Sequence, residues 1–138
     1  MASVFTMIIN GDIPGRFVWE DEQCVAFLTI NPLTPGHTLV VPREETDEWT
    51  DLEPELWNHL SGVAQTIGQA ISEGFDYTRV GVVIAGFEVA HAHIHVFGAD
   101  TMSEFDFARV DPNPDPDDLD AAAATIRATL QARGGGRT

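Results

Sequence analysis

Three of the chain's five histidines stand at alternate positions in one short run, as His91, His93 and His95. Neutral imidazole can ligate a metal ion, attack an electrophile as a nucleophile, or move protons as a general acid or base. A row of histidines can also be packed in a core or on a surface without any such role. Strict alternation of three histidines in a chain with few others favours chemistry, at either a metal ion or a reacting group.

Metal binding is the first interpretation of the row. Adjacent members could share one ion, but the outer two, His91 and His95, are separated by roughly 13 Å of strand at about 3.4 Å per residue. A tetrahedral zinc site needs further ligands, and the remaining imidazoles and thiol are Cys24, His37 and His59. Covalent and acid–base catalysis needs no such additional ligand set. The sequence therefore favours a catalytic site with no metal and no cofactor.

The histidine run lies where the sequence predicts the second strand of a hairpin. Residues 79–85 are apolar and β-branched, which is typical of a buried strand, and Gly86, Phe87 and Glu88 interrupt this pattern. The second strand is then predicted over residues 91–97. Because side chains alternate faces along a strand, the three imidazoles should share one face while the intervening apolar side chains face a core.

The histidine run and an earlier segment together resemble the histidine-triad (HIT) family. The family's His-x-His-x-His pattern, in which x is apolar, is matched within residues 91–97. Its Pro-x-x-Pro-Gly-His-x-Leu-Val-x-Pro marker is matched by residues 32–42, and residues 4–14 are similar to the family's start. The resemblance covers residues 3–108. It implies a HIT-like fold in a single domain over residues 1–138 and a two-fold homodimer.

The resemblance also implies a function. Family members hydrolyse or transfer nucleotidyl groups at the α-phosphate of a purine nucleotide or nucleotide conjugate. His93 would be the nucleophile and form a nucleotidyl-histidine intermediate, with its other ring nitrogen held by a backbone carbonyl. His95 would contact the phosphate, and His91 would link to His37, which would pack behind the triad. The alternative is a HIT protein that binds nucleotides, or serves as a scaffold, with little turnover.

Two segments carry the substrate-binding residues that the resemblance implies. The first would line a purine and ribose cleft, and the second would contact the phosphate and the leaving group. These residues are Phe27, Leu28, Thr29 and Ile30 in the first segment and Gly86, Phe87 and Glu88 in the second.

The chain departs from the family in both segments. Relatives usually carry Gly-Gln-Ser-Val or Gly-Gln-Thr-Val where this chain has Gly-Phe-Glu-Val, and an acid that binds ribose where it has Thr29. They also carry a supporting Asn with no clear match in residues 80–85. A carboxylate at position 88 that faced the phosphate would repel it unless it were protonated or turned away. Glu88 could instead serve as a general acid if burial raised its pKa. The departures predict a poor adenosine phosphoramidase that prefers another leaving group or nucleoside.

The remaining patterns predict an α+β domain with about five antiparallel strands, one long helix and short terminal helices. Ser3 should cap the first helix, and His59 should face solvent on the long helix without a role. Residues 109–133 hold an acidic, proline-rich segment and the C-terminal helix, and residues 134–138 should form a frayed end. The predicted helices cover residues 4–9, 54–72 and 119–132, and the first three strands cover 16–20, 24–28 and 37–41.

Composition excludes several classes of partner. The chain has 22 acidic residues against 7 arginines and no lysine, for a net charge of −15. Such a surface repels nucleic acid and anionic membranes, so neither is expected as a partner. No apolar run is long enough to span a bilayer, and no basic segment precedes an apolar core near the start as in a signal peptide. A single cysteine fits the reducing cytoplasm.

Overall fold

The structure, a computed structural model, describes residues 2–134. Within this range five strands form one antiparallel sheet in the order β1-β2-β3-β5-β4, and three α-helices pack around it, so the predicted α+β class is confirmed. The strands are β1 (Phe17–Glu20), β2 (Cys24–Leu28), β3 (Thr38–Pro42), β4 (Arg79–Val83) and β5 (Ile94–Ala99). The helices are α1 (Val4–Ile9), α2 (Pro54–Gly74) and α3 (Pro116–Gly134). Short 3₁₀ turns cover Trp49–Asp51, Met102–Phe105 and Phe107–Arg109.

One face of the sheet packs against α2 and α3. Along β2, Cys24, Ala26 and Leu28 join this core, whereas Val25 and Phe27 point to the opposite face, as expected from the alternation of a strand. All five residues of β2 are buried, because both faces of the sheet are covered there. The predicted placement of Ala92, Ile94 and Val96 in a core is also confirmed, since all three belong to this cluster.

The long helix α2 begins with Pro54 at its first turn, where a missing N–H is harmless, and buries one apolar stripe. The buried residues are Leu60, Val63, Ala64, Ile67, Ala70 and Ile71. Each large side chain in such a stripe contributes about 1.5–3 kcal/mol on full burial. Gly74 is the last helical residue, two positions beyond the predicted end. A Cβ there would lie 2.9 Å from the Thr125 side chain, so the glycine allows α3 to approach.

The opposite face of the sheet is covered near its centre by α1. Ser3 caps this helix as predicted, because its hydroxyl oxygen accepts a hydrogen bond from the Thr6 N–H at 3.0 Å. The only buried residue of the helix is Phe5, which packs edge-on against Phe27 of β2 with ring centroids 5.6 Å apart. The short helix therefore places an aromatic ring on the same face as the histidines.

The prediction that residues 91–97 form a strand is wrong at its start, because β5 begins at Ile94. Val40 of β3 pairs with Ile94, so Pro42 would stand opposite Ala92 if the ladder continued. Proline has no N–H to donate, and the pairing ends before it. His91 and His93 consequently lie in the connection from β4 to β5, and of the triad only His95 is on the strand.

The C-terminal part differs from the prediction mainly in its bounds. Helix α3 starts at Pro116, the last proline of the proline-rich segment, and runs to Gly134. Gly134 is thus helical, and the remainder of the predicted frayed end, residues 135–138, lies outside the described residues. None of the helices between residues 2 and 134 is long and apolar enough to cross a membrane.

Candidate active site

A turn before β3 fixes the proton positions on His37. Gly36 adopts a φ of +93°, a left-handed conformation that favours glycine, and the turn folds back so that the Leu33 N–H donates to His37 Nδ1 at 2.9 Å. Since Nδ1 accepts this bond, the neutral His37 ring carries its proton on Nε2. That nitrogen lies 2.9 Å from Nδ1 of His95 and donates to it.

His95 therefore carries its own proton on Nε2, the nitrogen left free for the cleft that His95 lines. This position suits a donor to a phosphate oxygen, the role expected for His95. The expected link between His91 and His37 is wrong, because the partner of His37 is His95. The reason is register: Leu39 of β3 stands opposite His95, and His37 precedes it on the same face.

His93 has the opposite proton arrangement. Its Nδ1 lies 2.7 Å from the carbonyl oxygen of His91, which can only accept, so Nδ1 carries the proton and Nε2 keeps its lone pair. A backbone carbonyl was the acceptor expected at this nitrogen. The ring is 6% exposed and packs edge-on against Phe5 with centroids 4.8 Å apart. His93 thus presents an unprotonated nitrogen to the cleft.

His91 lies behind the site rather than in it. Its ring is fully buried, and its Nε2 donates to the Pro42 carbonyl at 2.8 Å. Its Nδ1 lies 2.7 Å from the hydroxyl oxygen of Ser3 at the start of α1. Pro42, which ends the strand pairing, thus has a carbonyl oxygen that accepts a hydrogen bond from His91. The ring of His91 supports the backbone to which His93 is bonded.

Burial keeps the imidazoles of the site neutral. Desolvation, reinforced by the neighbouring His95 and His93, lowers the pKa of His37 to about 3. Desolvation and His93 lower the pKa of His95 to about 4. Burial also lowers the pKa of His93, partly offset by its bond to the His91 carbonyl and by the charge of Glu88. Neutral rings are the form required for a nucleophile and for the proton positions deduced above.

Two concave regions meet at His93 and His95. The larger, which we call the apolar cleft, has a volume of about 260 Å³ and lies between α1 and the ends of β2 and β3. Four predicted substrate residues line it, namely Phe27, Leu28, Thr29 and Ile30. The smaller, which we call the side lobe, has a volume of about 160 Å³ and is lined by Gly86, Phe87 and Glu88 with Phe107 opposite. Glu88 lines both regions.

The positions where the chain departs from the family have distinct surroundings. Phe87 is 95% exposed, so its ring contributes an apolar surface beside the side lobe. Glu88 is exposed and close enough to His93 for its charge to act on that ring. The Thr29 hydroxyl oxygen accepts the Asn31 N–H at 3.2 Å, and its proton remains available for a ligand.

Sequence reasoning missed several residues around the cleft. From α1 come Val4, Phe5 and Ile8, whose spacing of one helical turn could have identified a face that contacts the site. Arg16 and Asn31 lie at the cleft with polar side chains. Phe107, in the connection from β5 to α3, packs edge-on against His95 with centroids 4.7 Å apart. No sequence signal connects Phe107 to the triad.

The prediction that His59 faces solvent is wrong. Its Nε2 lies 2.7 Å from a carboxylate oxygen of Asp21, which also accepts the Trp19 ring N–H at 2.7 Å. The buried thiol of Cys24 lies 3.6 Å from the same oxygen, and the three possible ligand atoms of Asp21, Cys24 and His59 are within 4.8 Å of one another. Cys24 belongs to the core on the opposite face of the sheet from the triad.

This group fits a hydrogen-bonded turn better than a metal site. Both carboxylate oxygens of Asp21 are already acceptors, since the second one receives the N–H groups of Gln23 and Cys24 at 2.7 and 2.8 Å. Burial raises the pKa of Asp21, but these hydrogen bonds outweigh it and hold the pKa below its usual value. Burial and the Asp21 charge raise the pKa of Cys24 to about 12, so the thiol is protonated.

Comparisons with known proteins agree with the motifs and the fold. The family model for the HIT domain matches residues 10–102 of this chain. An uncharacterized HIT-like protein of Methanocaldococcus jannaschii is 41% identical over 97 residues, which cover 67% of this chain and 75% of that protein. The crystal structure of a Zn-bound histidine triad family protein from Mycobacterium smegmatis has a TM-score of 0.82 and 31% identity. That comparison covers 98% of this chain and 97% of the other.

A further solved structure supports the fold alone. A hypothetical histidine triad nucleotide-binding protein from Sulfolobus tokodaii has a TM-score of 0.81 at 23% identity, covering 94% of this chain and 92% of that one. Taken with the family-model match, the likenesses above 30% identity define the class of protein as HIT-domain proteins built on one α+β fold. The chain belongs to the histidine-triad (HIT) family, whose members are generally hydrolases or transferases.

Proposed function

We propose that this protein is a nucleotidyl hydrolase or transferase that acts at the α-phosphate of a nucleotide conjugate. The observation that carries the proposal is that His93 Nε2 has a lone pair while His95 Nε2 carries a proton. Both rings lie where the apolar cleft and the side lobe meet. A substrate with a nucleoside on one side of phosphorus and a leaving group on the other matches these two regions. The apolar cleft would hold the nucleoside, and the side lobe would hold the leaving group.

The proposed reaction has two steps. His93 Nε2 forms a bond to the α-phosphorus, and the bond from phosphorus to the leaving group breaks, with the electron pair leaving on that group. The imidazole becomes positively charged, and the His91 carbonyl at Nδ1 stabilises this charge. The Nε2–H of His95 donates to a phosphate oxygen as negative charge develops there. Water or another acceptor then attacks phosphorus, and the P–N bond breaks with its electron pair returning to His93 Nε2, so neutral His93 returns. The proton that the acceptor releases to solvent balances the proton that the leaving group takes up from solvent.

The apolar lining of the cleft supports a nucleoside base as the occupant. Phe27, Leu39, Ile8 and Phe5 offer aromatic and aliphatic surface to a planar base, as expected for a small-molecule site with few polar groups. Thr29 and Asn31 are the polar side chains available to a ribose. A purine nucleotide or conjugate is the proposed partner, and the exposed carboxylate of Glu88 disfavours anionic leaving groups in the side lobe.

Two further parts of the proposal concern zinc and the site of action. The proposed reaction uses no metal ion such as the zinc of the M. smegmatis protein. Within residues 2–134, the clustered donors Asp21, Cys24 and His59 are engaged in hydrogen bonds. We propose the cytoplasm as the location, since the single cysteine of the chain is a buried free thiol.

We also propose a homodimer formed through β4. This strand lies at the edge of the sheet and, within residues 2–134, pairs only with β5. Val82 on the strand is 58% exposed, and a two-fold partner strand would cover it and satisfy the free backbone groups of the edge.

The test is turnover of a substrate panel. Wild-type protein is incubated with adenosine and guanosine phosphoramidates and with dinucleoside polyphosphates, and release of the nucleoside monophosphate is measured, with His93→Ala as the inactive control. Release that requires His93 supports the proposal. Tight binding of the nucleoside monophosphates with no release from any conjugate would favour instead a nucleotide-binding protein with little turnover.

A further inference from the structure

The start of α1 is joined to the turn after β3 by a set of polar contacts. The Ser3 N–H donates to the Glu45 carboxylate at 2.8 Å, and the Thr6 hydroxyl donates to the same oxygen at 2.6 Å. Both hydrogen bonds lower the pKa of Glu45, so the carboxylate is charged at neutral pH. We call these three side chains, Ser3, Thr6 and Glu45, the N-terminal latch. Its members do not line the apolar cleft or the side lobe.

The latch also reaches the triad. The Ser3 hydroxyl oxygen lies 2.7 Å from His91 Nδ1. The Pro42 carbonyl can only accept, so His91 Nε2 donates to it, and in the ring with one proton Nδ1 carries a lone pair. The Ser3 O–H then donates to Nδ1, which is closer to it than the Thr6 hydroxyl oxygen at 3.3 Å. His91 is fully buried, so water does not readily replace this donor. Loss of the Ser3 hydroxyl would leave a buried acceptor without its partner, which is costly.

The peptide group that follows His91 connects this ring to the nucleophile. Its carbonyl oxygen accepts from His93 Nδ1 at 2.7 Å, and its N–H, on Ala92, donates to the Thr46 carbonyl at 2.7 Å. Thr46 directly follows Glu45. The turn after β3 therefore contacts the latch through the Glu45 side chain and the peptide after His91 through the Thr46 carbonyl. Displacement of Glu45 or of Thr46 would change the geometry at His93.

We propose that Ser3 and Glu45 are positioning residues for the nucleophile, which hold His91 so that its carbonyl keeps the proton of His93 on Nδ1. The inference rests on the proposed function, in which His93 Nε2 attacks phosphorus. Without the latch, the His91 ring and the peptide after it have more than one arrangement. His93 then spends time with its proton on Nε2, the form that cannot attack.

The expected effect is on kcat rather than on KM. No latch side chain lines the substrate regions, so binding should change by less than about twofold. Loss of one buried hydrogen bond to His91 should lower kcat by about tenfold. The fraction of His93 protonated on Nε2 should rise, which side-chain ¹⁵N chemical shifts measure directly in the free protein.

Substitutions at position 3 separate helix capping from contact with His91. Glycine caps a helix nearly as well as serine, so Ser3→Gly removes the hydroxyl at a cost of a few tenths of a kcal/mol to the helix. Ser3→Thr keeps the hydroxyl and should rescue both kcat and the ¹⁵N signature. A folded Ser3→Gly protein with wild-type kcat and wild-type His93 shifts would overturn the proposal.

Substitutions of glutamate provide a matched comparison. Glu45→Ala removes the latch carboxylate, and Glu45→Gln keeps an acceptor oxygen. Glu48 is exposed, lies in the same loop and makes no side-chain cap hydrogen bond, so Glu48→Ala is the control. Glu45→Ala should lower kcat several-fold and shift the His93 signals, while Glu45→Gln and Glu48→Ala should not.

Equal behaviour of Glu45→Ala and Glu48→Ala would contradict the latch. The NMR measurement keeps the two proposals distinguishable, because it needs no turnover. Wild-type protein that hydrolyses no conjugate would refute the proposed function. A His93 proton shift that still appeared in Ser3→Gly and Glu45→Ala, and not in Glu48→Ala, would support the latch all the same.

Discussion

Nε2 of His37 donates a hydrogen bond to Nδ1 of His95 across 2.9 Å, while Nδ1 of His37 accepts the N–H of Leu33. A backbone group thus sets the proton position on His95 through an intervening imidazole. At His93 the carbonyl of His91 sets the reverse arrangement. Two neutral imidazoles that lie side by side, with ring centroids 4.9 Å apart, therefore offer different chemistry, one a lone pair and the other a proton.

Replacing His37 should impair catalysis through His95. In His37→Ala, Nδ1 of His95 loses its donor and the ring can take the other proton position, so kcat should fall roughly 10- to 100-fold. Steady-state kinetics on the best conjugate of the panel measure the effect. His59→Ala is the matched control, because it also removes a histidine hydrogen bond but lies at Asp21. A His37→Ala protein with wild-type kcat would show that the His37–His95 contact has no catalytic role.

Stability should decrease as the pH falls below neutrality. The folded-state pKa values of His37 and His95 are lowered to about 3 and about 4, against 6.5 for an unperturbed histidine, so the unfolded chain binds more protons over this interval. The contribution is fully present above about pH 6.5 and is lost as the pH falls towards the folded values. Between pH 6.5 and 4.5 the histidines dominate the pH dependence of the free energy of unfolding. Glu45 and Asp21 have lowered pKa values, so their protonation affects stability only below that range.

Urea denaturation at a series of pH values measures this dependence. The free energy of unfolding should decrease continuously from pH 6.5 to 4.5 in the wild type. His37→Asn removes one of the titrating groups, so its curve should be shallower, whatever its absolute stability. A wild-type curve that is flat over this interval would mean that the imidazoles are not held neutral.

Restoring the family's polar residues in the side lobe should raise activity on adenosine phosphoramidates. Glu88 places a carboxylate beside His93, where an anionic phosphate must bind, and Phe87 offers no hydrogen bond there. Each restored polar contact is worth about 1 kcal/mol, so the double change Phe87→Gln with Glu88→Ser should raise kcat/KM about tenfold or more. Glu48→Ser, a change of the same type at an exposed residue outside the side lobe, serves as the control. No gain from the double variant would show that these two positions do not limit this reaction.

Charge on the edge strand should disrupt the proposed dimer. Val82 is exposed on β4, and Val82→Arg would place two like charges close together across a two-fold axis. Light scattering at micromolar concentration should give a dimer for the wild type and a monomer for the variant. Thr78→Arg lies just outside the strand and should lower the molar mass measured by light scattering less than Val82→Arg does. A wild-type monomer at that concentration would refute the dimer.

The sequence predicted those features that depend on local periodicity. The alternation of residues 91–97 correctly placed Ala92, Ile94 and Val96 in the core beneath α2, and Ser3 was correctly identified as a helix cap. The class of fold followed from the same patterns. The single domain over residues 1–138 and the roles of the site residues remain predictions.

Contacts between distant segments were not predictable from such patterns. That β5 begins at Ile94 depends on Pro42 facing Ala92 across the sheet, which requires the register of β3 and β5. The same register, and not proximity in the sequence, brings His37 into contact with His95. His59 meets Asp21 only because α2 crosses the turn between β1 and β2. In each case the deciding partner is remote in the chain.

Detection of a nucleotidyl adduct on His93 tests the proposed chemistry most directly. Wild-type protein is mixed with an adenosine phosphoramidate, quenched within milliseconds to seconds under alkaline denaturing conditions that preserve phosphoramidate bonds, and analysed by intact and peptide mass spectrometry. The chain should gain the mass of one adenylyl group, located at His93, and His93→Ala should gain none while His95→Ala forms the adduct more slowly. Full turnover by His93→Ala, or an adduct on any other residue with His93 unmodified, would contradict the assignment of His93 as the nucleophile.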